Sequence, residues 1–236
     1  MSEGIQAFKG FDAALQCRGF QYEIGKTYTA EKVEICESGF HSCEMPLDCW
    51  TYYPPTKSRY SEVVASGTIQ NKSGEDSKIA SGSIAISAEI RLPEFIRRAV
   101  DWILSKAKSN TATGNYGHAA ATGNYGHAAA TGDYGHAAAT GDYGHAAATG
   151  YLGHAAATGN YGHAAATGDS AIAASLGIHG KSKAGPNGWI VVAHWSEKSG
   201  SWKLVNVRTS KVGENGVKPN VFYSLNEAGE FEERDE

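Results

Sequence analysis

The residues best placed to do chemistry are thiols and imidazoles, and they fall in two groups. Cys36, His41, Cys43 and Cys49 follow one another as Cys-x4-His-x-Cys-x5-Cys. Thiolate and imidazole are zinc ligands, so this run is a candidate metal site. It lacks the paired Cys-x2-Cys knuckles of a structural zinc centre, and the competing reading is packed, reduced thiols together with Cys17. The second group is periodic: His118, His127, His136, His145, His154 and His163 recur every nine residues. Side chains repeating at the strand spacing of about 4.8 Å on a flat sheet do not converge on a tetrahedral centre, which favours stacked imidazoles over a metal ladder. Tyr116, Tyr125, Tyr134, Tyr143 and Tyr161 share the same period. Together the two sets form a regular amphipathic surface of the kind interfaces use, and we take them as the candidate binding face. No nucleophile elbow, phosphate-binding loop or paired-carboxylate signature is present, and no cofactor is expected.

These residues sit in one nonapeptide written six times from Thr113 to Ala166, as TGNYGHAAA and close variants, with a decayed seventh copy, TGDSAIAAS, ending at Ser175. A period of nine is too short for a helical hairpin and fits a strand with a corner, two copies to a coil. Thr-Gly-Asn/Asp supplies the turn, with Asn or Asp expected to bond its own backbone, and Tyr-Gly-His-Ala-Ala-Ala the strand. Alternation places Gly117, Ala119 and Ala121 in one column and Tyr116, His118 and Ala120 in the other. The first column admits only Gly, Ala or Ser in every copy, so it faces a thin core and the Tyr/His column faces outward.

Around the repeat, residues 1–92 read as an N-terminal α+β domain, with strands at 61–70 and 78–90, a short helix from Pro46 to Tyr53, and a polar loop at 71–76. Residues 93–108 form an amphipathic helix that caps the solenoid (112–175), its stripe running through Phe95, Ile96, Ala99, Val100 and Ile103. Residues 185–236 read as a C-terminal β-meander with an acidic, fraying end from Glu230. The fold class is thus mostly β, a nonapeptide β-roll between two flanking units.

The 236 residues carry a net charge of −4. That balance lacks the basic footprint of a nucleic-acid binder. The first residues have no apolar run of the signal-peptide kind, and no stretch is long enough to span a membrane, so a cytoplasmic setting is expected.

The segments GFQYEIG and GFHSCEMPLDCWTYY, the repeated ATGxYGHAA and the closing VGENGVKPNVFYSL resemble a family of uncharacterised proteins encoded by phages and prophages. The resemblance implies a mobile-element origin and expression inside a bacterial host, and it carries no activity. The repeat is also similar to the Ala/Gly/Ser coils of trimeric autotransporter heads. Gly39-Phe40-His41 followed by Asp48 to Tyr53 is similar to a segment of ADP-ribosyltransferase-like folds, which implies an NAD-consuming enzyme. Three classes therefore compete: a non-catalytic protein that engages or inhibits a host protein or complex, such as a defence complex; a virion or assembly component; and the enzyme. The periodic face also suits pairing with a second copy of the chain, loosened near pH 5 as the histidines charge.

Overall fold

A computed structural model describes residues 4–71, 76–107 and 110–235. The chain divides into two compact units, Met1–Ala99 and Val100–Glu236.

The first unit is built on strands β1 (Ile5–Phe11), β2 (Gln16–Cys17), β3 (Phe20–Gln21), β4 (Thr27–Thr29), β5 (Phe40–Cys43), β6 (Arg59–Asn71) and β7 (Lys78–Ile90). β6 pairs antiparallel with both β1 and β7, and β5 bridges β1 and β7, so the sheet curls back on itself. Its core is apolar: Phe11, Val63, Ala65, Ile79, Ile84 and Ile86 are buried. The short helix is a 3₁₀ turn over Pro46–Thr51, with Pro46 at its start where a missing N–H costs nothing. Of the polar loop expected at 71–76, residues 72–75 lie outside the described residues.

Helix α1 (Leu92–Lys106) forms over the amphipathic stripe, with Phe95, Ile96, Ala99 and Ile103 fully buried. The last residue expected in it, Lys108, lies outside the described residues. From Val100 the chain belongs to the second unit, where Trp102 sets its ring edge-on against His118 at 4.9 Å.

The repeat then folds as β8 (Thr111–Ala112), β9 (His118–Ala121), β10 (His127–Ala130), β11 (His136–Ala139), β12 (His145–Ala148), β13 (His154–Ala157), β14 (His163–Ala166), β15 (Ile172–Ser175) and β16 (Lys181–Ala184). Alternate copies go to opposite sheets, so one coil is two copies: His127 pairs in parallel with His145 and His136 with His154. Between the sheets lies a core of small residues, two alanines on each strand from Ala119 and Ala121 of β9 to Ala164 and Ala166 of β14, with Ser175 and Ser182 buried in later rungs. Ala and Gly are poor strand formers, and the stacked backbone ladder holds the geometry that propensity does not.

The structure corrects the sequence reading in four places. The strand is His-Ala-Ala-Ala only, because the tyrosine turns with the corner. The Asn or Asp of each corner bonds the next coil rather than its own backbone. The solenoid also runs beyond Ser175. LGIHGKSKA (176–184) is an eighth copy that keeps Gly, Gly and Ala at the repeat's second, fifth and ninth places, and β17 (Trp189–Lys198) begins as a further parallel rung, Trp189 lying beside Ile172. That rung follows a one-residue deletion, its register offset falling to 17 from the 18 of earlier coils. Finally, the acidic end does not fray: β17 pairs with β18 (Ser201–Lys211), while β19 (Phe222–Leu225) joins β16 and pairs with β20 (Phe231–Arg234).

Candidate functional site

Each corner of the roll is a four-residue turn. In the first, the Gly117 N–H donates to the Gly114 carbonyl at 3.1 Å, and the same bond recurs at each later corner that keeps glycine in the fifth place. The third turn residue is left-handed throughout: φ is 59° at Tyr116, 57° at Tyr125, 56° at Tyr143, 54° at Tyr161 and 56° at His179. Glycine and asparagine suit this conformation, and a bulky side chain in it costs about 1–2 kcal/mol. Asn187 takes the place in the last coil.

The corners are stitched between coils by two bonds each. The Tyr134 N–H donates to the Tyr151 carbonyl at 2.8 Å, and the Tyr151 N–H donates to Asp133 Oδ1 at 2.9 Å. Asn115, Asn124, Asp142 and Asn160 accept in the same way from the coil above, at 2.9–3.2 Å. This explains why the position alternates freely between Asn and Asp: both offer the Oδ1 acceptor.

Left-handed backbone aims the rings outward, and along one corner they stack. Tyr125, Tyr143 and Tyr161 lie 4.9 Å apart with interplanar angles of 7° and 4°, and His179 continues the stack at 5.0 Å. Trp202 of β18 closes it edge-on, also at 5.0 Å. The tyrosines remain 42–67% exposed. This aromatic rail spans roughly 20 Å, four steps at the strand spacing. At the opposite corner Tyr116 and Tyr134 stack at 5.0 Å but are half-buried, and Leu152 and Ser170 interrupt the series. His179 and Trp202 were missed from the sequence. The signal for His179 was its place in LGIHGKSKA, whereas Trp202 arrives from a strand with no repeat register.

The imidazoles do stack, as two ladders. His127, His145 and His163 follow one another at 4.7 and 4.3 Å on one sheet, and His118, His136 and His154 at 5.0 Å on the other. They are unequal as surfaces. His136 and His154 are buried, with exposures of 4% and 2%, so the expectation of a free face fails for that ladder. On the open ladder His127 is exposed and His145 and His163 are half-buried. Burial, then the Lys181 charge and His145, depress His163 to about 4, and burial lowers His145 as well. Loosening by charge near pH 5 therefore does not operate at His163, which stays neutral there.

The Cys/His group of the first unit is also brought together, though not as ligands. Cys36, His41, Cys43 and Cys49 line one cavity with Cys17. His41 Nε2 accepts the Cys36 N–H at 2.9 Å, which occupies its lone pair. Cys43 and Cys49 are buried, the Cys49 thiol donates to the Phe8 carbonyl at 3.3 Å, and the neighbouring Cys49 and burial push the Cys43 thiol well up. All four cysteines are free thiols. Burial and the Cys49 neighbour hold Cys43 as a thiol, which does not favour a thiolate metal centre.

Among the described residues no helix is long and apolar enough to cross a membrane. No curated protein and no solved structure matches the chain. Residues 5–98, which cover the first unit and its cavity but not the solenoid, match a family described as a domain of unknown function (DUF7666).

Proposed function

We propose that the protein is a non-catalytic binding protein of mobile-element origin, which engages a host protein through the rail of Tyr125, Tyr143 and Tyr161. The observation that supports this is the backbone beneath the rings. Each tyrosine occupies a conformation that asparagine takes more cheaply, as Asn187 does, and stacking of about 0.5–1.5 kcal/mol per pair returns only about what the conformation costs. The roll gains little from the rings, so their retention points to what they touch. Tyrosine offers a large, rigid, amphipathic contact at low entropic cost. The rail is flanked by Asn124, Asp142 and Asn160, neutral or acidic side chains that do not attract a nucleic-acid backbone. The phage and prophage resemblance supports a bacterial host as the source of the partner, and an anti-defence role is one form the reading takes.

The test replaces the three tyrosines by asparagine. The left-handed backbone accepts asparagine, so the relief of strain and the lost stacking roughly cancel and the variant folds. Crosslinking in host cells, followed by quantitative mass spectrometry, should recover a specific partner with the natural chain and lose it with the triple variant. Equal recovery from both chains refutes the rail. A second copy of the chain is the alternative occupant. Light scattering that shows a dimer abolished by the same variant would assign the rail to self-association, whereas a monomer at micromolar concentration leaves it open for the host protein.

A further inference from the structure

The cavity of the first unit has a volume of about 590 Å³, within the roughly 300–1,000 Å³ range of small-molecule sites. Three cations line it, Lys9 from β1, Arg18 from the turn between β2 and β3, and Lys78 at the start of β7. Among the described residues no carboxylate does.

Lys9 is 3% exposed. Its ammonium donates to the His41 carbonyl at 2.7 Å, meets Cys17 Sγ at 3.5 Å and lies 5.1 Å from the Tyr22 ring, none of which carries a compensating charge. A buried ammonium without an anion is a costly arrangement that a bound anion would relieve. Arg18 is held in a left-handed turn with Gly19, φ 52° and 78°, where Asn-Gly is the favoured pair, and its guanidinium donates to the carbonyl of Cys36, itself at φ 68°. Two strained residues meeting at the rim of one cavity are the kind of outlier that marks a functional site. Lys78 donates to the Tyr52 hydroxyl at 2.9 Å, and that hydroxyl bonds Asp76, so the phenol stands between this third ammonium and the nearby acid. Ser42 adds a hydroxyl that is 3% exposed and has no hydrogen-bond partner among the described residues. The positive field is felt locally: burial first, then the charges of Lys9, Lys78 and Arg18, depress His41 to about 4.

We propose that this cavity binds a small organic phosphate of mononucleotide size, its anionic group held by Lys9, Arg18, Lys78 and the Ser42 hydroxyl, with Tyr52 and Tyr53 as the wall for its ring. Guanidinium and ammonium converging with a hydroxyl match phosphate oxygens, and the aromatic side suits a flat base. The site is independent of the rail.

Isothermal titration of the full chain at low ionic strength, with AMP, inorganic phosphate, adenosine and succinate as probes, tests this. AMP should bind most tightly and inorganic phosphate measurably, with adenosine and succinate weaker. Arg18→Asn suits the turn, so its melting temperature should hold or rise while AMP affinity falls by about tenfold or more, the expected loss of a charge-assisted bond. Lys9→Met, which keeps the apolar stem, should lose affinity similarly. Absence of binding by both AMP and inorganic phosphate at millimolar concentration overturns the proposal. So does AMP affinity unchanged in both variants, and succinate binding as tightly as AMP overturns the phosphate assignment.

Discussion

The glycine at the second place of the repeat allows one sharp test of the stacked coil, because the same substitution has opposite expectations in the first coil and in one stacked above it. A Cβ built on Gly150 would fall 2.2 Å from the Gly132 carbonyl oxygen and 2.4 Å from its carbon. An unstrained C···O contact is about 3.3 Å, so Gly150→Ala forces the two coils apart by roughly 1 Å at that corner. The bonds Tyr134 N–H to Tyr151 carbonyl and Tyr151 N–H to Asp133 Oδ1 begin at 2.8 and 2.9 Å. Such a displacement carries both beyond hydrogen-bonding range, for a loss of about 2–4 kcal/mol. At about 2–4 °C per kcal/mol, the melting temperature should fall by roughly 5–15 °C. Gly123 holds the same second place of the repeat, after Thr122, but it lies in the first coil and a Cβ there meets nothing within 4 Å. Its φ is not left-handed, so Gly123→Ala should be neutral or stabilise by up to about 1 kcal/mol through the unfolded chain. Thermal unfolding followed by far-ultraviolet circular dichroism of the full chain gives the comparison. Melting temperatures for the two variants within a degree of each other would refute the stacking argument.

Overfilling distinguishes the faces of a single strand: Ala128→Leu enters the alanine core and should cost about 1–3 kcal/mol, while Ala129→Leu on the half-buried outer face should be mild, as chemical denaturation will show. Thiol reactivity should split the cysteines, with exposed Cys36 modified rapidly at pH 8 and buried Cys43 and Cys49 only on unfolding, measured by alkylation and intact mass. His163 is depressed in the folded state, so the unfolded chain binds the extra proton. The stability it contributes is complete above about 6.5 and is lost as pH falls toward about 4, and His163→Gln should flatten that part of a pH–melting profile.

The sequence by itself determined the solenoid. A nine-residue period with one column restricted to Gly, Ala and Ser leaves no interior larger than two alanines deep, and this constraint is visible without coordinates because volume is a property of residue type. The amphipathic helix and the β7 strand were legible for the same reason, as apolar spacing survives any tertiary context. Other features depended on geometry between residues distant in the chain. The period could not show that tyrosine turns left-handed while histidine stays on the strand, nor that Asn124 bonds a residue one coil away, since local preference for both points to the residue's own turn. The end of the roll was hidden at LGIHGKSKA, where Lys181 and Lys183 replace the outer residues but the small inner ones persist. Burial of His136 was decided by tertiary packing, as the identical TGDYGHAAA copies at 131–139 and 140–148 bury His136 and leave His145 half-buried. The cavity was equally invisible. Lys9, Arg18, Ser42 and Lys78 carry no common motif, and only the curled sheet brings three like charges to one cavity, because folding constrains where side chains meet far more tightly than sequence separation reveals.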